Sequence, residues 1–319
     1  MRPYAKFAWS VLGWNLLVVA WGAFVRATGS GAGCGSHWPL CNGEVVPRSP
    51  GLETVIEFSH RATSGVALLL VVGLVVGAHR AFPKGHPVRK AAWASLAIMI
   101  AEALLGAGLV IFGWVVKDAS LGRAMVMGLH LVNTFLLLGA LTLTAEWATR
   151  PGGLSFDVPG VVAAGLWAAF AAMCVAGVTG GVAALGDTLF PAMPYAEGLA
   201  LGDAVAPEVR FLLKLRIAHP LTAVLAAGAL LIAAKLAYGA RAEPRVRTAA
   251  VLVASLVGVQ LVAGLANVVL LAPVWMQLVH LLLADLVWIA LVLLAAAALA
   301  PGEVAPGRMP DAGLAPARP

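Results

Sequence analysis

Charge is scarce in this chain. Only 11% of its 319 residues are Asp, Glu, Lys or Arg, while 61% are hydrophobic. Ordinary soluble domains carry about 25% charged residues. So little charge could not cover the surface of a soluble protein of this size, which excludes a soluble globular enzyme, a disordered chain and a fibrous one. Period-two alternation is also missing from the apolar runs, which excludes a transmembrane β-barrel. Basic stripes with interleaved aromatics are absent, so a net charge of +6 does not point to nucleic acid. What remains is a polytopic α-helical membrane protein.

Eight apolar segments of spanning length can be counted, at Phe7–Val25, Glu57–Ala78, Ala91–Gly113, Arg123–Glu146, Pro159–Val178, Leu212–Tyr238, Thr248–Ala272 and Val274–Ala300. Each is about the 20 residues that a helix needs to cross the hydrocarbon core. The start, Met1 to Lys6, is short and basic, but no small-residue cleavage site follows. It is expected to lead into a retained first span. The Pro-, Gly- and Ala-rich stretch 301–319 is expected to be an unstructured cytoplasmic tail.

Lys and Arg divide unequally between the two sides of such a bundle, 13 against 8. The richer side holds His79–Lys90 and Arg241–Arg247, so it is expected to face the cytoplasm with both termini. The long loops Arg26–Ile56 and Thr179–Phe211 are then expected outside.

The chain also looks duplicated, as two tandem four-helix halves, 1–150 and 151–300. Thr28-Gly29-Ser30-Gly31 recurs as Thr179-Gly180-Gly181, 151 residues on, and Glu102-x-x-x-Gly106 as Gln260-x-x-x-Gly264, 158 on. His60 matches His219 and His130 matches His280, at offsets of 159 and 150. Both halves enter the membrane in the same sense, so the pseudo-symmetry axis is expected along the membrane normal.

Of seven histidines, His60, His130, His219 and His280 lie early in the even-numbered spans. All four are expected at similar depth near the outer surface. Ionisable groups inside spans are costly and usually functional. A single such histidine would be read as a packing residue, but two per half at one depth form a ligand set. No Cys, Asp or Glu completes a tetrahedral zinc site around either pair. Two facing imidazoles per bundle suit the axial positions of a haem iron instead, giving one haem site per half.

The halves differ one helical turn before the first histidine of each pair, where Glu57 precedes His60 and Arg216 precedes His219. A carboxylate at a haem edge can move protons or stabilise developing positive charge. A guanidinium better neutralises a haem propionate. The first half therefore looks suited to chemistry and the second to holding a cofactor. A purely structural account of Glu57 stays open: a favourable charge near a helix N-terminus, paired with Arg61 at i+4.

Cys34 and Cys41 lie seven apart in the first outer loop, where the compartment permits a disulfide and flanking Gly and Pro allow a closed turn. Whether such a bond is structural or a redox relay is left open. Cys174, in the fifth span, is read as a small packing residue. No Cys-x-x-Cys-His occurs for covalent haem attachment.

The stretch Gly29-Ser30-Gly31-Ala32-Gly33-Cys34-Gly35-Ser36-His37-Trp38-Pro39-Leu40-Cys41-Asn42-Gly43 resembles the first outer loop of haem A synthases, and Glu57-Phe58-Ser59-His60-Arg61 resembles their Glu-x-x-His-Arg motif. Gly128-Leu129-His130-Leu131, Lys214-Leu215-Arg216-Ile217-Ala218-His219-Pro220 and Gln277-Leu278-Val279-His280 resemble the other three histidine segments. The resemblance implies a plasma-membrane oxidoreductase that converts haem O to haem A for terminal oxidases. The C8 methyl would become a formyl group through a hydroxymethyl intermediate. It further implies that His219 and His280, beside Arg216, ligate a haem B cofactor, while His60 and His130 serve the substrate haem and Glu57 is essential. Some bacterial relatives have a second cysteine pair in the later outer loop, and Thr179–Phe211 has none. A haem O synthase and a quinone or other electron acceptor are the partners this implies, besides the lipid bilayer.

The main rival class is a di-haem b-type cytochrome exchanging electrons with quinone. Such a carrier needs no carboxylate beside a ligand, and it usually places its haems near opposite faces. A haem transporter or chaperone is the other. Glu102 and Asp285 are further intramembrane acids whose roles the sequence leaves open. Arg26 and Lys117 lie near outer span ends, where contact with haem propionates is one reading and anchoring at the membrane surface is the stronger expectation.

Overall fold

A computed structural model describes residues 3–116, 118–150, 152–155, 158–190 and 207–301, with 207–213 and 215 described in backbone only. The described residues form eight long helices: α1 (Pro3–Ala27), α2 (Leu52–Ala81), α3 (Pro87–Ile111), α4 (Leu121–Thr149), α5 (Gly160–Leu189), α6 (Pro207–Ala240), α7 (Pro244–Val269) and α8 (Val274–Ala298). All eight contain a stretch long and apolar enough to cross a membrane. Large apolar side chains such as Leu69, Trp167 and Val262 stand exposed on outward faces. Lipid is the surrounding that such faces suit, and the chain is a multi-pass membrane protein.

Local chemistry fixes several helix starts. Ser120 Oγ accepts the Arg123 amide at 3.2 Å ahead of α4, and His86 caps α3, whose first residue is proline. Proline also opens α7. At this position the missing amide costs nothing and φ is preset.

The helices outrun the apolar segments in several places. α2 begins at Leu52, five residues before the expected Glu57, so Glu57 lies in its second turn. α5 continues to Leu189, so Thr179–Leu189 is helix rather than outer loop. α6 starts at Pro207 rather than Leu212. Hydropathy marks what lipid covers, whereas the backbone ladder continues until its hydrogen bonds lose their partners. The segment 191–206 of the expected second loop, the 302–319 part of the tail, and Lys117 lie outside the described residues.

Each half closes on itself. α1 packs on α2 and α4, and α3 packs on α2 and α4; likewise α5 packs on α6 and α8, and α7 on α6 and α8. Between halves α4 meets α8, α4 meets α5, and α1 meets both α8 and α5. These contacts map onto one another when the halves are exchanged, so the arrangement is pseudo-two-fold. α8 is the most enclosed of the spans. Phe135 of α4 stacks on Trp288 of α8 with centroids 4.7 Å apart, and Gly139 lets the two helices approach at Trp288. At the opposite end from the histidines, Glu146 of α4 pairs with Arg245 at the start of α7 at 2.6 Å.

Candidate haem-binding sites

The four histidines follow the first residues of α2, α4, α6 and α8 by eight, nine, twelve and six positions. These helices run in the same direction, so all four imidazoles lie toward one end of the bundle. Among the described residues no group of three or more His, Cys, Asp and Glu converges. His219 and His280 approach as a pair, with ring centroids 6.4 Å apart and planes at 81°.

Each ring rests on a glycine of the preceding odd-numbered helix. A Cβ added at Gly22 would come 2.9 Å from His60 Cε1, and one at Gly180 2.7 Å from His219 Cε1. At Gly264 the distance to His280 Cε1 would be 3.0 Å, and at Gly106 His130 Nε2 would lie at 3.7 Å. Gly22 and Gly180 are 158 residues apart, as are Gly106 and Gly264. This corrects the expected repeat match of Thr28 with Thr179. Thr28 ends the first helix, whereas Thr179 lies inside α5, and its structural counterpart at that offset is Trp21. The glycine seats were missed in the sequence. Their signal was the common 158-residue spacing of the two glycine pairs.

The second half orients its rings by hydrogen bonds. Thr179 Oγ1 lies 3.3 Å from His219 Nδ1 and 2.8 Å from Thr222 Oγ1. Gln260 Nε2 lies 3.5 Å from His280 Nε2 and donates to the His280 carbonyl at 3.1 Å. In the first half Glu102 Oε2 stands 3.2 Å from His130 Nδ1, out of line for a hydrogen bond. Nδ1 of His60, His130 and His280 is buried without a hydrogen-bond partner. The approach of His219 to His280, with a glycine beneath each of the four rings, fits axial ligation of a flat macrocycle. A metal–imidazole bond is about 2.0–2.1 Å, so two rings sharing one metal would have centroids about 6 Å apart, close to the His219–His280 spacing.

Glu57 is 3% exposed. It pairs with Arg61 on the next turn, the structural partner foreseen at i+4, and accepts the Cys34 amide at 2.8 Å. Arg61 in turn donates to the carbonyls of His37 and Leu40, each at 2.6 Å. Cys34 and Cys41 are disulfide-bonded. The bridged loop therefore sits on Glu57 and Arg61, one turn from His60. Gly33 presses its backbone against Glu53 and Thr54 at the start of α2, where any side chain would collide with main chain. Thr54 Oγ1 fastens it there through the Gly33 carbonyl at 2.8 Å.

Arg216 pairs with Asp187 of α5 and donates to the Phe190 carbonyl at 3.0 Å. Arg26 overturns the expectation of surface anchoring. Its guanidinium reaches into the second half, to the Ala184 carbonyl (2.6 Å), Thr188 Oγ1 (2.7 Å) and Gln277 Oε1 (2.9 Å). A charged group with three such acceptors is better satisfied there than at a lipid headgroup. Gln277 is one turn before His280, so this contact ties α1 to a histidine helix of the other half. Asp285 is 1% exposed, with neither carboxyl oxygen hydrogen-bonded among the described residues.

Comparison with known proteins agrees with this architecture. Residues 5–292 match the COX15-CtaA family, described as cytochrome oxidase assembly protein. A Thermus thermophilus protein named protoheme IX farnesyltransferase is 51% identical over 285 residues, covering 89% of this chain and 46% of that protein. A heme A synthase of Alkalihalophilus pseudofirmus is 36% identical over 137 residues, 43% of each chain. One of Bacillus cereus is 45% identical over 114 residues, 35% of this chain and 37% of that one. The matches thus span less than half the length of each of these relatives. With most of its length matched, the chain belongs to the COX15-CtaA family of cytochrome oxidase assembly proteins.

Proposed function

We propose that this protein is a haem A synthase, oxidising the C8 methyl of haem O to a formyl group through a hydroxymethyl intermediate. The observation that carries the proposal is the four histidines each seated on its own glycine, two of them with ring centroids 6.4 Å apart, in a chain of this family. His219 and His280 would hold haem B, which would supply a one-electron iron centre. Thr179 orients the His219 ring through Nδ1, which leaves Nε2 for the metal. Arg216 lies in the first turn of the α6 span, where its charge suits a propionate.

His60 and His130 bind and orient the substrate haem. Glu57 places a carboxylate one turn from His60, under the bridged loop. There it would stabilise the positive charge that develops when a methyl C–H bond breaks with loss of a proton and two electrons, and would take the second proton, released as water forms the new C–O bond. The bridged loop and α2 exclude bulk water from that side. Each of the two oxidations, methyl to hydroxymethyl and hydroxymethyl to formyl, gives up two electrons, which a quinone or another acceptor would take.

The site faces the outer side of the plasma membrane, with both termini in the cytoplasm. This follows the excess of Lys and Arg at the other end. The chemistry needs a supplier of farnesylated haem. The name and length of the Thermus relatives fit a haem-farnesylating unit joined to a unit like this chain.

The test is to purify the protein from a host that makes haem O, extract the haems and identify them by chromatography and mass. Haem B together with haem O, hydroxylated haem O or haem A is the expected result. Two haem B per chain would favour the di-haem carrier and refute the synthase.

A further inference from the structure

The halves differ in what stands behind the second histidine of each pair. In the first half Glu102 of α3 is held by two side chains of α4. Asn133 Nδ2 donates to Oε2 at 2.6 Å and Thr134 Oγ1 to Oε1 at 2.5 Å. Asn133 also donates to the Ile98 carbonyl at 3.0 Å, one turn earlier on α3. These residues follow His130 by three and four positions, so the helix that carries the histidine also aims the carboxylate. Oε2 lies 3.2 Å from His130 Nδ1.

In the second half the equivalent of Glu102 is Gln260, 158 residues on. The positions three and four after His280 are Leu283 and Ala284. The holding groups are absent along with the charge, and the carboxamide donates to the His280 carbonyl at 3.1 Å while standing 3.5 Å from His280 Nε2. The repeat has thus diverged together at three positions around one interaction.

We propose that Glu102 is a positioning residue that sets the electronic character of the first-half iron site through His130. This rests on the haem reading of that site. A carboxylate 3.2 Å from the outer nitrogen of a metal-bound imidazole, even without hydrogen-bond alignment, raises the ring's basicity by its charge and stabilises the more positive oxidised metal. Asn133 and Thr134 satisfy the other lone pairs of Glu102 and hold it in place. The consequence is an iron that favours its oxidised state more than the one between His219 and His280, where a neutral carboxamide stands. Electron transfer from the substrate half to the cofactor half is then downhill. A protein with two similar bis-histidine sites would otherwise have no built-in direction between them.

The experiment is an anaerobic redox titration of the whole purified protein, isolated with haem in both halves. Absorbance and electron paramagnetic resonance distinguish the two components. Glu102→Gln is expected to raise the midpoint potential of the first-half component and leave the second unmoved. Glu102→Asp, which keeps the charge, is expected to stay closer to wild type. Gln260→Glu is expected to lower the second-half component, which carries the test even if Glu102→Gln loses its haem. Normal haem occupancy with an unmoved first-half potential in Glu102→Gln overturns the proposal alone. Wild-type protein that never holds haem in the first half overturns the functional reading and this proposal with it.

Discussion

Gly180→Ala is the sharpest available test of the second-half site. The added methyl would sit 2.7 Å from His219 Cε1, 3.1 Å from Nε2 and 3.2 Å from Nδ1. Comfortable carbon–carbon contact is about 3.5–4.0 Å, so the ring must retreat by about 1 Å, or α5 and α6 must separate. Retreat is blocked on one side by Thr179, which holds Nδ1. Overpacking of this kind costs about 1–3 kcal/mol. If the strain falls on the ligand, haem affinity drops by about 5- to 150-fold, since about 1.4 kcal/mol is a factor of ten. The assay is haem B per polypeptide in detergent-purified protein, with the low-spin absorbance bands as a second readout. Gly228→Ala is the control, because it lies on the His219 helix with nothing within 4 Å of the added carbon. It should leave haem content unchanged. Full occupancy with unaltered bands in Gly180→Ala would refute the idea that glycine seats the ligand.

Three other outcomes are expected. Glu57→Gln loses the ion pair with Arg61 while keeping an oxygen for the Cys34 amide, so haem A production should collapse in folded protein; full production would sink its catalytic assignment. Arg26→Ala removes three hydrogen bonds that join the halves and should lower stability by about 2–3 kcal/mol, read as a fall in Tm in detergent, with Arg26→Lys recovering only part. Leu271 has φ of +59° in the turn after α7, where its counterpart in the first half is Gly113 at +69°; Leu271→Gly relieves a left-handed side chain that costs about 1–2 kcal/mol against a glycine entropy cost of about 0.5–1 kcal/mol, so Tm should hold or rise slightly, and a clear drop would show that the side chain's packing outweighs its backbone.

The parts of this site that were legible in the sequence are those whose chemistry is rare in a membrane. Four histidines in an apolar chain announce themselves because burying them is expensive. The Cys34–Cys41 bond was legible from a short spacing in an oxidising compartment, and the Glu57–Arg61 pair from helical periodicity. Glycine, by contrast, occurs 35 times, and no local pattern tells a helix-packing glycine from one under an imidazole. Arg26 was misjudged because its acceptors lie 158, 162 and 251 residues away in sequence. The end of α5 was misplaced because Thr179-Gly180-Gly181 reads as the start of a loop, whereas the helix runs through it to Leu189. Glu102 was noticed as an acid, but its ties to Asn133 and Thr134 depend on how α3 meets α4.

The position of Arg26 bears on how such a molecule can be assembled. Its guanidinium bonds the carbonyl of Ala184, the residue that occupies Arg26's own place in the second repeat, 158 positions later. Two identical four-helix chains related by a true dyad would set guanidinium against guanidinium at that point, and like charges there would push the subunits apart. Covalent fusion removes that restriction, since each copy can then mutate without its twin. The arginine that locks the halves together is thus closed to a pair of identical chains and open to a tandem chain.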